Sequence, residues 1–335
     1  MRHQVQIQPS EHKFYVEKNE TILNAALRQG INLRYGCRNG ACGACKGKLL
    51  SGDISYDKDP MALSDDDKAE NLVLFCAALV DSSLVIEVDE VELDSAIEIK
   101  TLPCRIHDMH LLADDVMQIF IKLPASERLQ FLPGQYIDIL LEDGRHRSFS
   151  IANAPHNDEF LELHVRQVEK GLFTGKVFSS MKNKDLLRIE GPHGSFFFHE
   201  DSNRDILLMA GGTGFAPIKG IVEHLIEEQV TRPVHLYWGV RTEADLYMGD
   251  LAEQWVKDFP NIHFVPVLSD AGDTWSGRTG YVHDAVLSDF DDLAMFDIYT
   301  CGPPAMIKAA ETAFLAKGMH KKQFFYDSFD FASDQ

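Results

Sequence analysis

Three of the chain's six cysteines fall within nine positions, in the stretch YGCRNGACGACKGKL (35–49). Cys37, Cys42 and Cys45 stand in C-x4-C-x2-C spacing, and Cys76 follows in LVLFCAA. Thiols packed this closely need a backbone that curls around whatever they hold. Gly36, Gly40, Ala41, Gly43 and Ala44 allow that close approach, since glycine adopts positive φ at no steric cost and small residues leave N–H groups open toward sulfur. Disulfides are the other use of clustered cysteines, but a chain of 335 residues can bury a core without such staples. The clustering points to metal.

The spacing, with its distant fourth cysteine, is that of a plant-type [2Fe–2S] site, with Cys37, Cys42, Cys45 and Cys76 as ligands. Zinc is the first competitor, but structural zinc sites usually pair two short spacings and only one C-x2-C is present. A redox C-x-x-C would use Cys42 and Cys45 and leave Cys37 unexplained. Cys76 alone, in an apolar run, also fits a buried inert thiol. Around the cluster, VQIQP and HKFYVE alternate as strands, TILNAALRQG forms a short helix ended by Gly30, and SLVIEV closes the unit as a strand. Residues 1–92 are expected to form a β-grasp domain of the α+β class holding the cluster.

Residues 93–103 are polar, end in proline and are expected to be a linker. From Cys104 the pattern changes to short alternating strands separated by turns such as LPGQ and EDGR, which suggests a small antiparallel β-barrel over 104–200. Three stretches there carry candidate chemistry. In RSFSIAN (147–153), Arg147 and Phe149 share one face of a strand and Ser148 and Ser150 the other; an edge strand with scattered polar residues has the same pattern. In HVRQVEKGLFTGKVF (164–178) a strand meets a glycine turn and a helix beginning near Thr174, either an anion site or an ordinary N-cap. GPHGSFFF (191–198) is a turn before an aromatic run. His146, His164 and His193 have no metal-ligand partner at useful spacing and are expected to pack or to hydrogen-bond.

From residue 201 to 335 strands and helices alternate, as in a parallel-sheet α/β domain with helices on both faces. AGGTGFAP (210–217) lies between the first strand, DILLMA, and its helix, IKGIVEHLIEEQ. Gly211, Gly212, Thr213 and Gly214 there let a pyrophosphate approach a helix N-terminus, although Pro217 stands where a third glycine would complete G-x-G-x-x-G. CGPP (301–304) ends another strand at the same sheet edge, where Cys301 either lines a nicotinamide pocket or is a small buried thiol. The remaining helices are expected at DLYMGDLAEQWVKDF and AMIKAAETAFLAKG, and KQFFYDSF closes the chain.

The formal net charge of −20 argues against nucleic acid as a partner. The N-terminus shows no secretory signal, and the longest apolar run is far short of the ~20 residues of a membrane helix. A cytoplasmic protein with no membrane span is expected.

Taken in order, GQYIDI, RSFSIANAP, ELHVRQVEKGLF, LRIEGPHGSFF, AGGTGFAPIK, YWGV, DIYTCGPPAMI and FFYDSF resemble the ferredoxin–NADP reductase superfamily, here with an N-terminal plant-type ferredoxin domain. The resemblance implies an FAD domain over 104–200 and an NAD(P) domain over 201–335. It also implies an NAD(P)H oxidoreductase that splits hydride electrons through FAD and the [2Fe–2S] cluster. Single electrons would then reach an electron-accepting partner enzyme, a sugar dehydratase of deoxysugar biosynthesis or an oxygenase component. By the same resemblance, Arg147 binds the FAD pyrophosphate, Phe149 stacks on the flavin, and Ser148 and Ser150 lie beside it, Ser150 near N5. His164 and Val165 meet the flavin and ribityl region, and Gly171 and Thr174 the pyrophosphate. Gly211–Gly214 face the nicotinamide cofactor's phosphates, Cys301 and Gly302 its ring, and Phe329 the flavin face. The family usually has tyrosine where Phe149 stands, so stacking is kept and a phenol hydrogen bond lost. Ser150 and Cys301 are expected to shape the hydride encounter rather than act as acid or base. After YWGV, Arg241 favours a 2′-phosphate and Glu243 disfavours it; NADH is expected, with NADPH the alternative.

Overall fold

The computed structural model describes residues 2–91 and 97–329 and divides into two compact units. One runs through Ile97 and also takes Gly194–Phe196; the other takes Glu98–His193 and the chain from Phe197 onward.

The first unit contains β1 (His3–Gln8), β2 (Lys13–Val16), α1 (Ile22–Arg28), β3 (Lys46–Ser51), β4 (Ile54–Ser55), α2 (Asp65–Ala69), β5 (Leu72–Leu74), β6 (Leu79–Val80) and β7 (Leu84–Glu87). A mixed sheet runs β2-β1-β7-β3-β5, in which β1 and β7 are parallel. Alternation puts Val5, Ile7, Phe14, Val16, Leu84 and Ile86 into one core with Ile22, Leu23, Ala25 and Ala26 of α1, as period-2 and period-3.6 patterns require. Thr21 caps α1 by accepting from Asn24 N at 3.3 Å, and Gly30 turns the chain away at φ +76°. This is the expected β-grasp arrangement.

The second unit begins with β8 (Lys100–Ala113), β9 (Val116–Lys122), β10 (Tyr136–Leu140), β11 (His146–Ser150), β12 (Leu161–Arg166), α3 (Leu172–Ser179) and β13 (Leu186–His193). The strands pair antiparallel in the order β11-β10-β13-β8-β9-β12. A bridge between Ile151 and Leu163 joins the two edges and closes the barrel. Aliphatic side chains make up most of its interior, among them Ile106, Ile119, Ile121, Ile137, Ile139, Leu163, Val165 and Ile189, joined by Phe131 and Phe173.

Here two expectations need correction. Of the expected linker 93–103, residues 93–96 lie outside the described residues and 100–103 are already strand. Leu102 and Cys104 point into the barrel core, so the alternation starts earlier than the proline suggested. Pro103 is tolerated because β8 pairs only with β13 there, β9 joining from Arg105 onward. The second correction concerns α3, which starts at Leu172 with Gly171 as N-cap, not near Thr174.

The chain then alternates through β14 (Asp205–Gly211), α4 (Phe215–Glu227), β15 (Val234–Val240), α5 (Gly249–Asp258), β16 (Ile262–Leu268), β17 (Arg278–Thr279), α6 (Val282–Asp289), β18 (Phe296–Gly302), α7 (Pro304–Leu315) and β19 (Phe324–Ser328). The sheet order is β17-β16-β15-β14-β18-β19, all parallel. Parallel strands covered on both faces are nearly continuous apolar runs, and β14 and β18 are buried almost end to end, with Asp297 and Thr300 the polar residues within β18. Leu207, Met209 and Tyr237 face α6 and α7; on the other side Trp238 stacks on Phe215 of α4 at 3.8 Å, and Phe215 meets Trp255 of α5. The expected helix from Asp245 begins instead at Gly249. Thr242 and Asp245 cap each other reciprocally and hold a 3-10 turn first. The chain leaves β14 toward β15 on one side and returns to β18 on the other, so the carboxyl ends of β14 and β18 form the crevice where such sheets bind ligands.

Candidate functional site

The cluster loop lies between α1 and β3. Gly40 and Gly43 both take φ +79°, and a Cβ on Gly40 would sit 2.9 Å from Pro60 Cβ; glycine is required at 40 on both counts. The loop turns its amides onto sulfur. Cys37 N donates to Cys42 Sγ at 3.4 Å and Cys42 N to Cys37 Sγ at 3.3 Å. Ala44 N donates to Cys42 Sγ at 3.5 Å, and Cys76 N to Cys45 Sγ at 3.4 Å. The sulfurs thus fall into two pairs, Cys37 with Cys42 and Cys45 with Cys76. The Cys42 contact holds the Cys37 thiol down to about 6, while the same contact and burial push Cys42 up. Cys76 is lowered and Cys45 raised by their mutual contact in the same way.

Pairing decides between metals. A tetrahedral zinc with Zn–S near 2.3 Å needs all four sulfurs about 3.8 Å apart. Among the described residues, the only His, Cys, Asp or Glu group of three whose ligand atoms all lie within 4.8 Å of one another is Asp138, Glu190 and His193, so no three of these sulfurs converge that closely. Two separated pairs fit a two-iron cluster with two thiolates per iron. Asp138 of β10 meets Glu190 and His193 of β13, His193 lying 3.6 Å from Asp138 and 3.3 Å from Glu190; Glu190 stands only three residues before His193, whereas Asp138, on another strand, is invisible to linear spacing.

In the second unit, β11 carries Arg147 and Phe149 on one face, as the alternation predicts. Phe149 packs on Phe173 of α3 at 5.4 Å, and Ser148 donates to Asp138 at 2.5 Å. Ser150 Oγ, at the strand end, is buried without a hydrogen-bond partner, as are Thr300 Oγ1 and Ser328 Oγ. Buried hydroxyls of this kind ordinarily find a partner, and a polar ring edge at the end of β11 would supply one for Ser150. That orphaned hydroxyl fits a flavin.

Other expected contacts are more constrained. His164 is fully buried with both ring nitrogens engaged, Nε2 with Glu162 Oε1 at 2.9 Å and Nδ1 with Tyr247 Oη at 3.1 Å. Burial holds its pKa below the usual range, so the ring is neutral and Tyr247 donates to it. Val165 points into the barrel core, leaving its backbone for any ligand. The Thr174 hydroxyl accepts from Val168 N at 3.2 Å, inside α3 rather than capping it. A Cβ on Gly171 would meet that hydroxyl at 2.4 Å.

At the crevice, backbone meets backbone. A Cβ on Gly214 would lie 2.1 Å from Cys301 O, and one on Gly302 3.1 Å from Gly211 Cα. The structure therefore brings Gly211–Gly214 and the Cys301–Gly302 turn together. Trp238 Nε1 donates to Gly212 O at 2.9 Å and fixes the loop. Cys301 is fully buried, and burial, then Asp327, pushes its thiol well above its usual range; it stays protonated and is no base. Phe329 N donates to Gly302 O at 3.0 Å, which ties the end of β19 to the same turn.

One buried charged group has no signal in the sequence pattern. Glu162 on β12 accepts from His164, from Gln118 Nε2 at 2.7 Å and from Lys219 Nζ at 2.9 Å. Lys219, on α4, also donates to Glu223 at 2.6 Å and to Ala152 O at 3.3 Å. The run LELHVR reads as a buried strand, and nothing in it marks Glu162 as charged and paired with a residue on a distant helix.

Comparison with known proteins agrees with this architecture. Residues 5–81 match the 2Fe-2S iron-sulfur cluster binding domain, 103–198 the oxidoreductase FAD-binding domain and 208–312 the oxidoreductase NAD-binding domain. The CDP-6-deoxy-L-threo-D-glycero-4-hexulose-3-dehydrase reductase of Yersinia pestis is 42% identical over 325 residues, 97% of this chain and 98% of that protein. The phenol 2-monooxygenase reductase component DmpP of Pseudomonas sp. strain CF600 is 35% identical over 345 residues, 100% of this chain and 96% of that protein. The crystal structure of the Amycolatopsis cytochrome P450 reductase GcoB superposes with a TM-score of 0.82 at 31% identity, covering 99% of this chain and 100% of that one. No helix among the described residues is long and apolar enough to cross a membrane. The chain belongs to the ferredoxin–NADP reductase superfamily, as an NAD(P)H-dependent flavin and iron-sulfur oxidoreductase with an N-terminal 2Fe-2S ferredoxin domain.

Proposed function

We propose that this reductase delivers single electrons to a CDP-sugar dehydratase in deoxysugar biosynthesis, as a CDP-6-deoxy-Δ3,4-glucoseen reductase. The observation that carries this reading is the end-to-end identity to the Yersinia hexulose-3-dehydrase reductase, higher than to the phenol monooxygenase reductase. Bound FAD supplies the exchange between hydride and single electrons that nicotinamide and an iron-sulfur cluster cannot make directly. The chain's own residues bind and orient. Arg147 and the amides at Gly171 hold the FAD pyrophosphate, Phe149 and Phe329 cover the flavin ring, and Ser150 bonds near N5. Gly211–Gly214 cradle the nucleotide's phosphates at the start of α4, and Cys301 and Gly302 shape the nicotinamide pocket. Cys37, Cys42, Cys45 and Cys76 hold the iron. NADH is the donor: of the residues that follow β15, Glu243 disfavours a 2′-phosphate and is weighed against Arg241, which favours one. Free thiols throughout suit the reducing cytoplasm.

Reconstitution tests the partner. The purified protein with NADH and a CDP-4-keto-6-deoxysugar 3-dehydratase is expected to support 3-deoxygenation. No turnover there, with turnover restored by a ring-hydroxylating oxygenase, would move the assignment to the oxygenase reductases.

A further inference from the structure

α4 does two things at once. Its N-terminus opens from the glycine loop at the nucleotide crevice. One and a half turns later, its flank presses on the segment that continues β11 beyond Ser150. A Cβ on Gly220 would lie 3.0 Å from Asn153 O and 3.2 Å from Ile151 O, so the helix touches bare carbonyls there. Lys219 Nζ donates to the carbonyl between them, Ala152 O, at 3.3 Å. Glu223, one turn on, accepts from Ala154 N at 3.3 Å. The remaining Lys219 donors go to Glu162 and Glu223, so all three N–H bonds are used. Glu162 is in turn fixed by Gln118 and His164, and His164 by Tyr247. The lysine side chain is 6% exposed and Glu162 7%.

An ion pair this deeply buried is a poor source of stability, because desolvation offsets most of its attraction. What it supplies is a fixed separation. It ties the helix that begins at the nucleotide loop to β12, while the Lys219–Ala152 O bond ties the same lysine to the segment that follows Ser150; on the site assignment proposed above, that helix and that segment carry the donor and acceptor sides of hydride transfer.

We infer that Lys219 and Glu162, with the side-chain-free face at Gly220, are positioning residues that set the distance between the nicotinamide and flavin sites. The clamp works by geometry. Hydride transfer needs reacting atoms about 3–3.5 Å apart, and an error near 1 Å costs on the order of a hundredfold. A methyl at Gly220 pushes α4 off the 151–153 carbonyls by a few tenths of an ångström, and loss of the lysine releases the same contact from the other side.

The test uses anaerobic full-length protein loaded with FAD and cluster. Two variants approach the clamp differently: the charge-balanced pair Lys219→Met with Glu162→Gln, and Gly220→Ala, which leaves every charge in place. Stopped-flow mixing with NADH gives the limiting rate of flavin reduction and the NADH dissociation constant separately. The limiting rate is expected to fall about tenfold in each, with the dissociation constant within about threefold of the unchanged protein and a weaker charge-transfer absorbance. Amide exchange on the same proteins without nucleotide is expected to rise together in 150–154 and 215–223. Folded, fully loaded variants that reduce flavin within about twofold of the unchanged rate would overturn the inference, whatever happens to their melting temperature. So would a rate loss confined to the NADH dissociation constant.

Discussion

Cys76 stands apart from the other cluster cysteines in sequence, yet its amide meets Cys45 sulfur in the fold. Cys76→Ala is expected to abolish stable iron binding. Reduction of cytochrome c by NADH should fall at least about a hundredfold, while ferricyanide, which takes electrons from the flavin directly, is reduced at near the normal rate. Iron analysis alongside the two assays checks this. Glu162 offers a pH test. Burial alone would raise its carboxyl, but the His164 hydrogen bond and the Lys219 charge win and hold it at about 2, against an ordinary 4.5. A carboxyl depressed in the fold contributes stability above its unfolded pKa and loses it as pH falls through the folded one. The advantage of the ionised over the protonated carboxyl therefore disappears between about pH 4.5 and pH 2. Glu162→Gln should be less stable than the unchanged protein at pH 7, and denaturant melts down the pH scale should show that gap closing across this window. The cluster cysteines were legible because their chemistry is local: one loop holds three ligands at a diagnostic spacing. Glu162 and Lys219 were not, because their pairing exists only after a barrel has closed and a helix from another domain has packed on it.

At the scale of elements, the glycine loop before α4 is the sharpest constraint. A methyl on Gly214 would collide with Cys301 O, and no side-chain rotation relieves a backbone contact. Gly214→Ala should displace the loop from β18 and raise the NADH dissociation constant at least about tenfold, with iron and flavin contents unchanged; fluorescence or kinetic titration reads it. Strand and helix types followed from period, while boundaries did not. β8 starts at Lys100 because a proline is acceptable on the stretch with a partner on one side only. α5 starts at Gly249 because Thr242 and Asp245 cap a 3-10 turn first, and a polar run such as TEAD does not distinguish a 3-10 turn from the first turn of an α-helix. The short strands β4 and β6 carry too few residues to show any period.

For the whole molecule, the net charge of −20 predicts a salt-sensitive encounter with a basic partner. Electrostatic steering toward a basic acceptor is screened by salt. The bimolecular rate of cytochrome c reduction should fall several-fold between about 0.02 M and about 0.3 M salt, with the limiting rate of flavin reduction at saturating NADH unaffected; a rate flat in salt would assign the acidic charge no part in docking. The account rests on one path, from nicotinamide through flavin to a two-iron cluster, carried on a single chain. Its most direct test is the visible and electron paramagnetic resonance spectrum of anaerobically purified protein before and after NADH. The path predicts flavin and iron-sulfur bands that bleach together within the turnover time and the rhombic signal of a reduced [2Fe–2S] centre. Protein that carries no iron, or whose flavin bleaches while the cluster stays oxidised, would contradict it.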